Sequence, residues 1–201
     1  GKYDFGMDKT LLQGLITAHL FMENGDLAGA KRVLTTLPPE YYDDPRQLLM
    51  LARVVCLEVQ ESEDFTEAIT IFRQVARSRL RDVSILVNVV ALALKIGYRD
   101  GKHAVRERVA DHRLALEAAR QAIAVEPKLP VSYLISVRLI INLTLYVTGG
   151  AELESLEAEA KVYLGQAETV GADPASVTKL RLALMLVLGQ LDAAREFLTD
   201  T

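Results

Sequence analysis

The chain has 201 residues, half of them hydrophobic and only 6% aromatic, with no Trp, one Cys and a formal charge of −4. That acidic balance argues against generic nucleic-acid binding through a basic surface, and a single cysteine excludes an internal disulfide. The scarcity of large rings favours many small-into-large helix contacts over one aromatic core.

Taken in chain order, the apolar periodicity is helical throughout, and no stretch sustains the alternation of a half-buried strand. The spacing predicts helices over 8–24, 26–36, 45–61, 64–79, 82–96, 104–125, 130–147, 151–169, 174–188 and 190–199. Asp44-Pro45 and Asp173-Pro174 each set a capping Asp before a first-turn Pro, whose missing N–H is one of the unpaired donors anyway. Asp82 can cap the helix from 82, and Pro130 opens another. Gly25, Gly97, Gly149-Gly150, Gly171 and Gly189 read as stops. Short links make each helix the antiparallel neighbour of the next, which gives five pairs. The connections at 97–111 and 148–158 exceed a minimal link, and lengthened second helices in pairs three and four account for them.

A signature recurs along these elements. Gly25-Asp26-Leu27, Glu63-Asp64-Phe65, Asp111-His112-Arg113 and Gly189-Gln190-Leu191 each run into an amphipathic stretch centred on a small residue: Ala30, Ala68, Ala115 and Ala194. A fifth stretch centres on Ala160. The alanines lie 38, 47, 45 and 34 residues apart, and self-similarity at such periods marks a stacked repeat. An alanine lets two helix backbones approach, and larger residues fill the groove that remains.

The stretch from Asp111 to Pro127, with Ala115, Ala119, Ala122 and Pro127, resembles the second helix of a tetratricopeptide repeat (TPR). Ala30/Leu34/Leu37, Ala68/Phe72/Val75, Ala160/Leu164/Ala167 and Ala194/Leu198 resemble it more loosely. Ala18 and Cys56 occupy the small-residue slot of the first helices. The resemblance covers nearly the whole chain. It implies an all-α, right-handed superhelical solenoid of about five antiparallel pairs, with 1–201 as one repeat domain. Gly1 in place of Met suggests a piece of a longer protein.

The sequence holds no nucleophile elbow, HExxH, phosphate-cradling glycine loop or CxxC, so no catalysis, cofactor or metal is expected. His19, His103 and His112 are dispersed, and Arg106, Arg108 and Arg113 beside two of them would repel a cation. Cys56, among Val54, Val55 and Leu57, reads as a buried small hydrophobe. The run Glu152, Glu154, Glu157 and Glu159 reads as a solvated helix face, with docking to a basic partner as the alternative. Lys95, Arg99, Lys102, His103, Arg106 and Arg108 read as a solvated extension, with an acidic partner or membrane surface as the alternative. Val131 to Val147 is apolar enough to raise a membrane span, but Arg138 and Asn142 favour a helix sandwiched between neighbours. Asn142-Leu143-Thr144 is rejected as a glycosylation acceptor for the same reason. Tyr41-Tyr42 and Pro38-Pro39 read as a stiff link with its rings packed over the junction.

The resemblance also implies that first helices line a concave face. Helix phase then places Leu12, Leu15, His19, Met22, Met50, Arg53, Leu57, Val87, Asn88, Lys95, Leu134, Arg138, Asn142 and Lys179 on it. Such a lining suits a protein or peptide segment carrying acidic groups. The expected function is therefore a protein-interaction scaffold. The alternatives are an accessory domain of an enzyme whose catalytic part lies elsewhere and a helical-repeat RNA-binding protein. Arg exceeds Lys by 15 to 8, which points to a bacterial source. A bacterial envelope, secretion or polysaccharide-export assembly suits such a module. No signal peptide is visible, so the expected location is the cytoplasm, or the soluble part of a protein anchored outside this sequence.

Overall fold

A computed structural model describes residues 8–59, 64–78, 82–99, 105–147 and 149–200. Ten α-helices follow in order: α1 Lys9–Glu23, α2 Leu27–Thr35, α3 Pro45–Glu58, α4 Thr66–Arg77, α5 Val83–Arg99, α6 Val105–Val125, α7 Pro130–Thr144, α8 Ala151–Thr169, α9 Pro174–Val187 and α10 Leu191–Thr199. There is no strand among the described residues. The short link before α3 contains a 3-10 turn at Pro39–Tyr41.

The caps explain these boundaries. Asp26, Asp44 and Asp173 accept from the backbone N–H groups of Gly29, Arg46 and Ser176 at 2.8, 2.9 and 3.0 Å, and Asp82 accepts from Ile85 at 3.2 Å. Each bond satisfies a helix-start donor that has no partner within its own helix. Gly25 closes α1 at φ 78°, a conformation that side chains resist. Beside it the Asp26 N–H reaches back to the Phe21 carbonyl at 2.9 Å. Gly25-Asp26 therefore ends one helix and caps the next. Gly189-Gln190 repeats the closure, with the Gln190 N–H on the Met185 carbonyl at 2.9 Å. Gly97 does not stop its helix: α5 runs on to Arg99. Asp111-His112-Arg113 lies inside α6, because that second helix is lengthened to 21 residues; α8, with 19, is lengthened too.

The chain forms two compact units, one holding α1–α4 and the other holding α6–α10 and α5 as far as Gly97. In the first, α1 packs on α2 and α3 on α4, while α2 packs on α3 and α1 touches α3. Ala18, Ala30, Leu34 and Val54 make one buried cluster, with Leu15, Phe21, Leu27 and Met50 packed around it. Gln47, itself buried, donates from Nε2 to the Leu34 carbonyl at 3.2 Å and ties α3 to the end of α2. In the second unit α6 packs on α7, α7 on α8, α8 on α9 and α9 on α10, while α7 also touches α9. Within a unit, α1 thus lies beside α3 and α7 beside α9, and α2, α6 and α8 each pack on the first helix that follows. This is the stacking of a TPR-like solenoid. Ala30, Ala68, Ala115 and Ala160 are completely buried and Ala194 nearly so, as their place at the centre of each signature requires. The fold is all-α and TPR-like.

Candidate partner-binding faces

Each first helix leaves one stripe unburied. On α3 it runs Met50, Arg53, Leu57, and on α5 Val87, Asn88, Ala91, Lys95. On α7 it runs Val131, Leu134, Arg138, Ile141, Leu145, and on the adjacent α9 Lys179, Leu182, Leu186. The steps of three and four residues put each set on one helix face. Leu12 is exposed on α1, Leu15 and Met22 half-buried. The expected lining is therefore accessible at every named position but one. Asn142 is only 7% exposed. It sits one residue beyond the open position Ile141, so α7's stripe passes it by. Its burial also removes the glycosylation reading. Two polar members spend their hydrogen bonds locally: Asn88 donates to the Ser84 carbonyl at 2.8 Å, and His19 lies 3.1 Å from Glu23.

Sorting charge by helix reveals what sorting it along the chain does not. The five first helices carry eight Lys or Arg and two acids, Glu23 and Glu58, both in a last turn. The five second helices carry ten bases and eleven acids. A chain of net charge −4 thus concentrates positive charge on its first helices. Arg46 is held by Asp44 at 2.8 Å and Arg181 by Glu168 at 2.6 and 2.7 Å. Among the described residues Arg53, Lys95, Arg138 and Lys179 make no ion pair, although the Lys179 charge helps to lower the Asp173 carboxyl at the start of α9. Four cations therefore stand on apolar stripes with no carboxylate in direct contact among the described residues.

The acidic run on α8 behaves oppositely. Glu152 meets Arg113 at 2.8 Å, and Glu159 takes a two-pronged bond from Arg120 at 2.9 and 2.8 Å. Glu157 holds Lys161 at 2.7 Å and Gln190 at 2.9 Å. The Arg120 guanidinium, with burial opposing it, keeps the Glu159 carboxyl below the usual carboxylate range. Burial, and then the hydrogen bond to Glu159, push the Tyr163 hydroxyl up to about 12. Glu152, Glu157 and Glu159 tie α6 to α8 and α8 to the start of α10, while Glu154 stays exposed on the same helix. A cleft of about 280 Å³ lies between α6, α7 and α8, lined by Leu116, Leu143 and Leu156, and its rim charges Arg113 and Glu152 neutralise each other. Of the basic run, Lys102 and His103 lie outside the described residues, and Arg108 sits 5.7 Å from the Tyr146 ring centre. The hydroxyl of Tyr42 donates to the Thr35 carbonyl at 3.2 Å, which ties that link back to α2.

His112 is buried beside Tyr146, with Nδ1 2.8 Å from the Arg108 carbonyl. Burial lowers its pKa; the Arg108 carbonyl and Asp111 oppose the shift, and the Arg108 charge adds to it. The unfolded chain therefore binds more protons here than the folded one just below pH 6.5. Stability from this group is full above that pH and is lost as pH falls. The urea midpoint is expected to drop between pH 7.5 and pH 5.5, and His112→Gln to flatten that dependence. An unchanged pH profile in the variant would remove His112 from the account.

Among the described residues no group of three His, Cys, Asp or Glu could hold a metal ion, and no helix is long and apolar enough to cross a membrane. The stacked pairs and open first-helix stripes are those of a TPR-like helical repeat. Two solved structures share the fold. One, described as "MamA RS-1 ArsTM double mutant", has a TM-score of 0.62 at 14% identity, over 96% of this chain and 93% of that one. The other, "Crystal structure of MamA protein", has a TM-score of 0.61 at 11% identity, over 96% and 90%. Both are TPR-repeat proteins. No family model and no curated protein matches the sequence.

Proposed function

We propose that this chain is a protein-interaction scaffold, and that its first-helix faces bind partner segments combining apolar and acidic side chains. The observation that carries this reading is the set of cations that make no ion pair among the described residues, Arg53, Lys95, Arg138 and Lys179, on stripes of half-exposed Leu, Val, Ile and Met. An apolar stripe supplies area, and an unpaired cation selects a carboxylate and guides its approach. The setting we propose is a bacterial envelope, secretion or polysaccharide-export assembly, with this region acting as a binding module without catalysis of its own.

The test compares two double reversals of equal charge change. Arg53→Glu with Arg138→Glu alters first helices; Arg106→Glu with Arg195→Glu alters exposed cations of second helices. Circular dichroism checks that each keeps its helicity. The first pair is expected to weaken capture of the partner at least tenfold, about 1.4 kcal/mol, and the second to leave it within twofold. Capture by the wild type should also weaken as salt rises from 0.1 to 1 M, where the screening length falls from about 10 to about 3 Å. Loss in the second pair alone would move the partner site to the second helices.

A further inference from the structure

Two adjacent first helices of the second unit carry open stripes. Every residue of α7 after Pro130 is buried except Val131, Leu134, Arg138 and Ile141, and Leu145, which caps the helix, continues the row. The steps are three, four, three and four. The stripe is thus one side chain wide and spans about 21 Å, at about 1.5 Å per residue. α9 packs beside α7 and runs the same way, because α8 turns the chain back between them. Its own stripe, Lys179, Leu182 and Leu186, keeps the three-four step.

The chemistry of these stripes decides the shape of an occupant. An extended segment leaves its backbone N–H and C=O groups to be satisfied by the surface it lies on, and a buried one left unpaired is costly. No accessible side chain of α7 accepts a hydrogen bond: all are aliphatic except Arg138, which only donates. The side chains that could hold a backbone there, Ser132, Ser136, Asn142 and Thr144, are buried. On α9 the accessible acceptors are the hydroxyls of Thr178 and of Ser176, the latter held by Asp173 at 2.8 Å. Such a surface is poorly equipped to hold an extended backbone. A helix arrives with its own backbone bonds made. It needs only apolar area at three-four spacing, which interlocks with the same spacing on its own face. Charge completes the match: α7 and α9 contain no acid, and Arg138 and Lys179 stand near the midpoints of their helices.

We propose that the α7–α9 face binds an amphipathic α-helix of a partner protein. That helix is about four turns long, to match the stripe. It carries apolar residues at three-four steps along one side and acidic residues near its middle, opposite Arg138 and Lys179. The proposal rests on the reading of first-helix faces as partner sites, and adds the conformation of the occupant and the place of its acids. The acids guide the approach and fix the position along the stripe, while the apolar side chains supply the contact.

Fluorescein-labelled synthetic peptides of about 18 residues, or about five turns, test this by anisotropy against the full chain. The first carries Leu at three-four steps with Glu in its middle turns. The second has the same composition, reordered so that Leu alternates with polar residues as in a strand. The third is the first with Lys in place of each Glu. The wild type should bind the first at least tenfold tighter than either of the others, and circular dichroism should show that peptide gaining helix on binding. Arg138→Glu/Lys179→Glu, checked for retained helicity, should reverse the charge preference and bind the third peptide tighter than the first. A wild type that binds the first peptide no tighter than the second, or a reversed variant that still prefers Glu, would overturn the proposal. Two outcomes separate its failure from that of the reading beneath it. If the alternating peptide binds best and the double reversal releases it, the helix is wrong and the first-helix face stands. If the reversal changes the binding of no peptide, the α7–α9 face is not a partner site and both fall.

Discussion

Phe72→Ala is expected to remove about 3–5 kcal/mol of stability, the usual range for truncating a buried Phe. Phe72 is 1% exposed and stands four residues after Ala68 on α4. Its ring is buried on the same face of α4 as the alanine, and truncating it leaves a cavity that the packed helices fill only in part. A domain typically holds about 5–15 kcal/mol in all, so this one change removes much of the reserve of the first unit. Urea unfolding followed by circular dichroism should show an early transition absent from the wild type. The matching truncation of exposed Leu198 on α10 removes a side chain in the same register that already faces solvent, and should cost far less. Equal costs at the two positions would mean that burial, and not register, had been misassigned.

Ala115→Phe is expected to cost about 1–3 kcal/mol by overpacking. Ala115 is fully buried on α6, with Ala119 and Ala122 buried on the same face. A ring at a fully buried position among small side chains is expected to overpack the contact and push α6 from its neighbours. Arg120 on the same helix would feel the shift through its bonds to Glu159. Ala110→Phe, on the exposed side of α6, is the control and should stay within about 0.5 kcal/mol. A tolerated ring at Ala115 would show that the central alanine is not what sets the approach of the helices.

The fold was legible because each level of the sequence agreed with the others. Asp26, Asp44 and Asp173 announced helix starts, Gly25 and Gly189 announced ends, and the central alanines announced where helices meet. Gly97 misled, because a glycine is tolerated inside a helix that packing holds. Helix phase put the named first-helix residues on accessible faces, except Asn142, which lies one position past α7's open stripe. Charge was the harder matter. Read along the chain, Glu152, Glu154, Glu157 and Glu159 look like a free acidic run, because Arg113 and Arg120 pair with it from 39 residues away. The scarcity of acids on first helices, which leaves them net positive, was also in the sequence, but only sorting by helix role brings it out.

Photo-cross-linking locates a bound partner most directly. A benzophenone side chain is placed at Leu57 or Leu134 on the first-helix stripes, or at Val162, 56% exposed on α8, and each protein is irradiated with its captured partner. Adducts are expected from Leu57 and Leu134 and not from Val162. Adducts from Val162 alone would contradict the assignment of the partner to the first-helix faces.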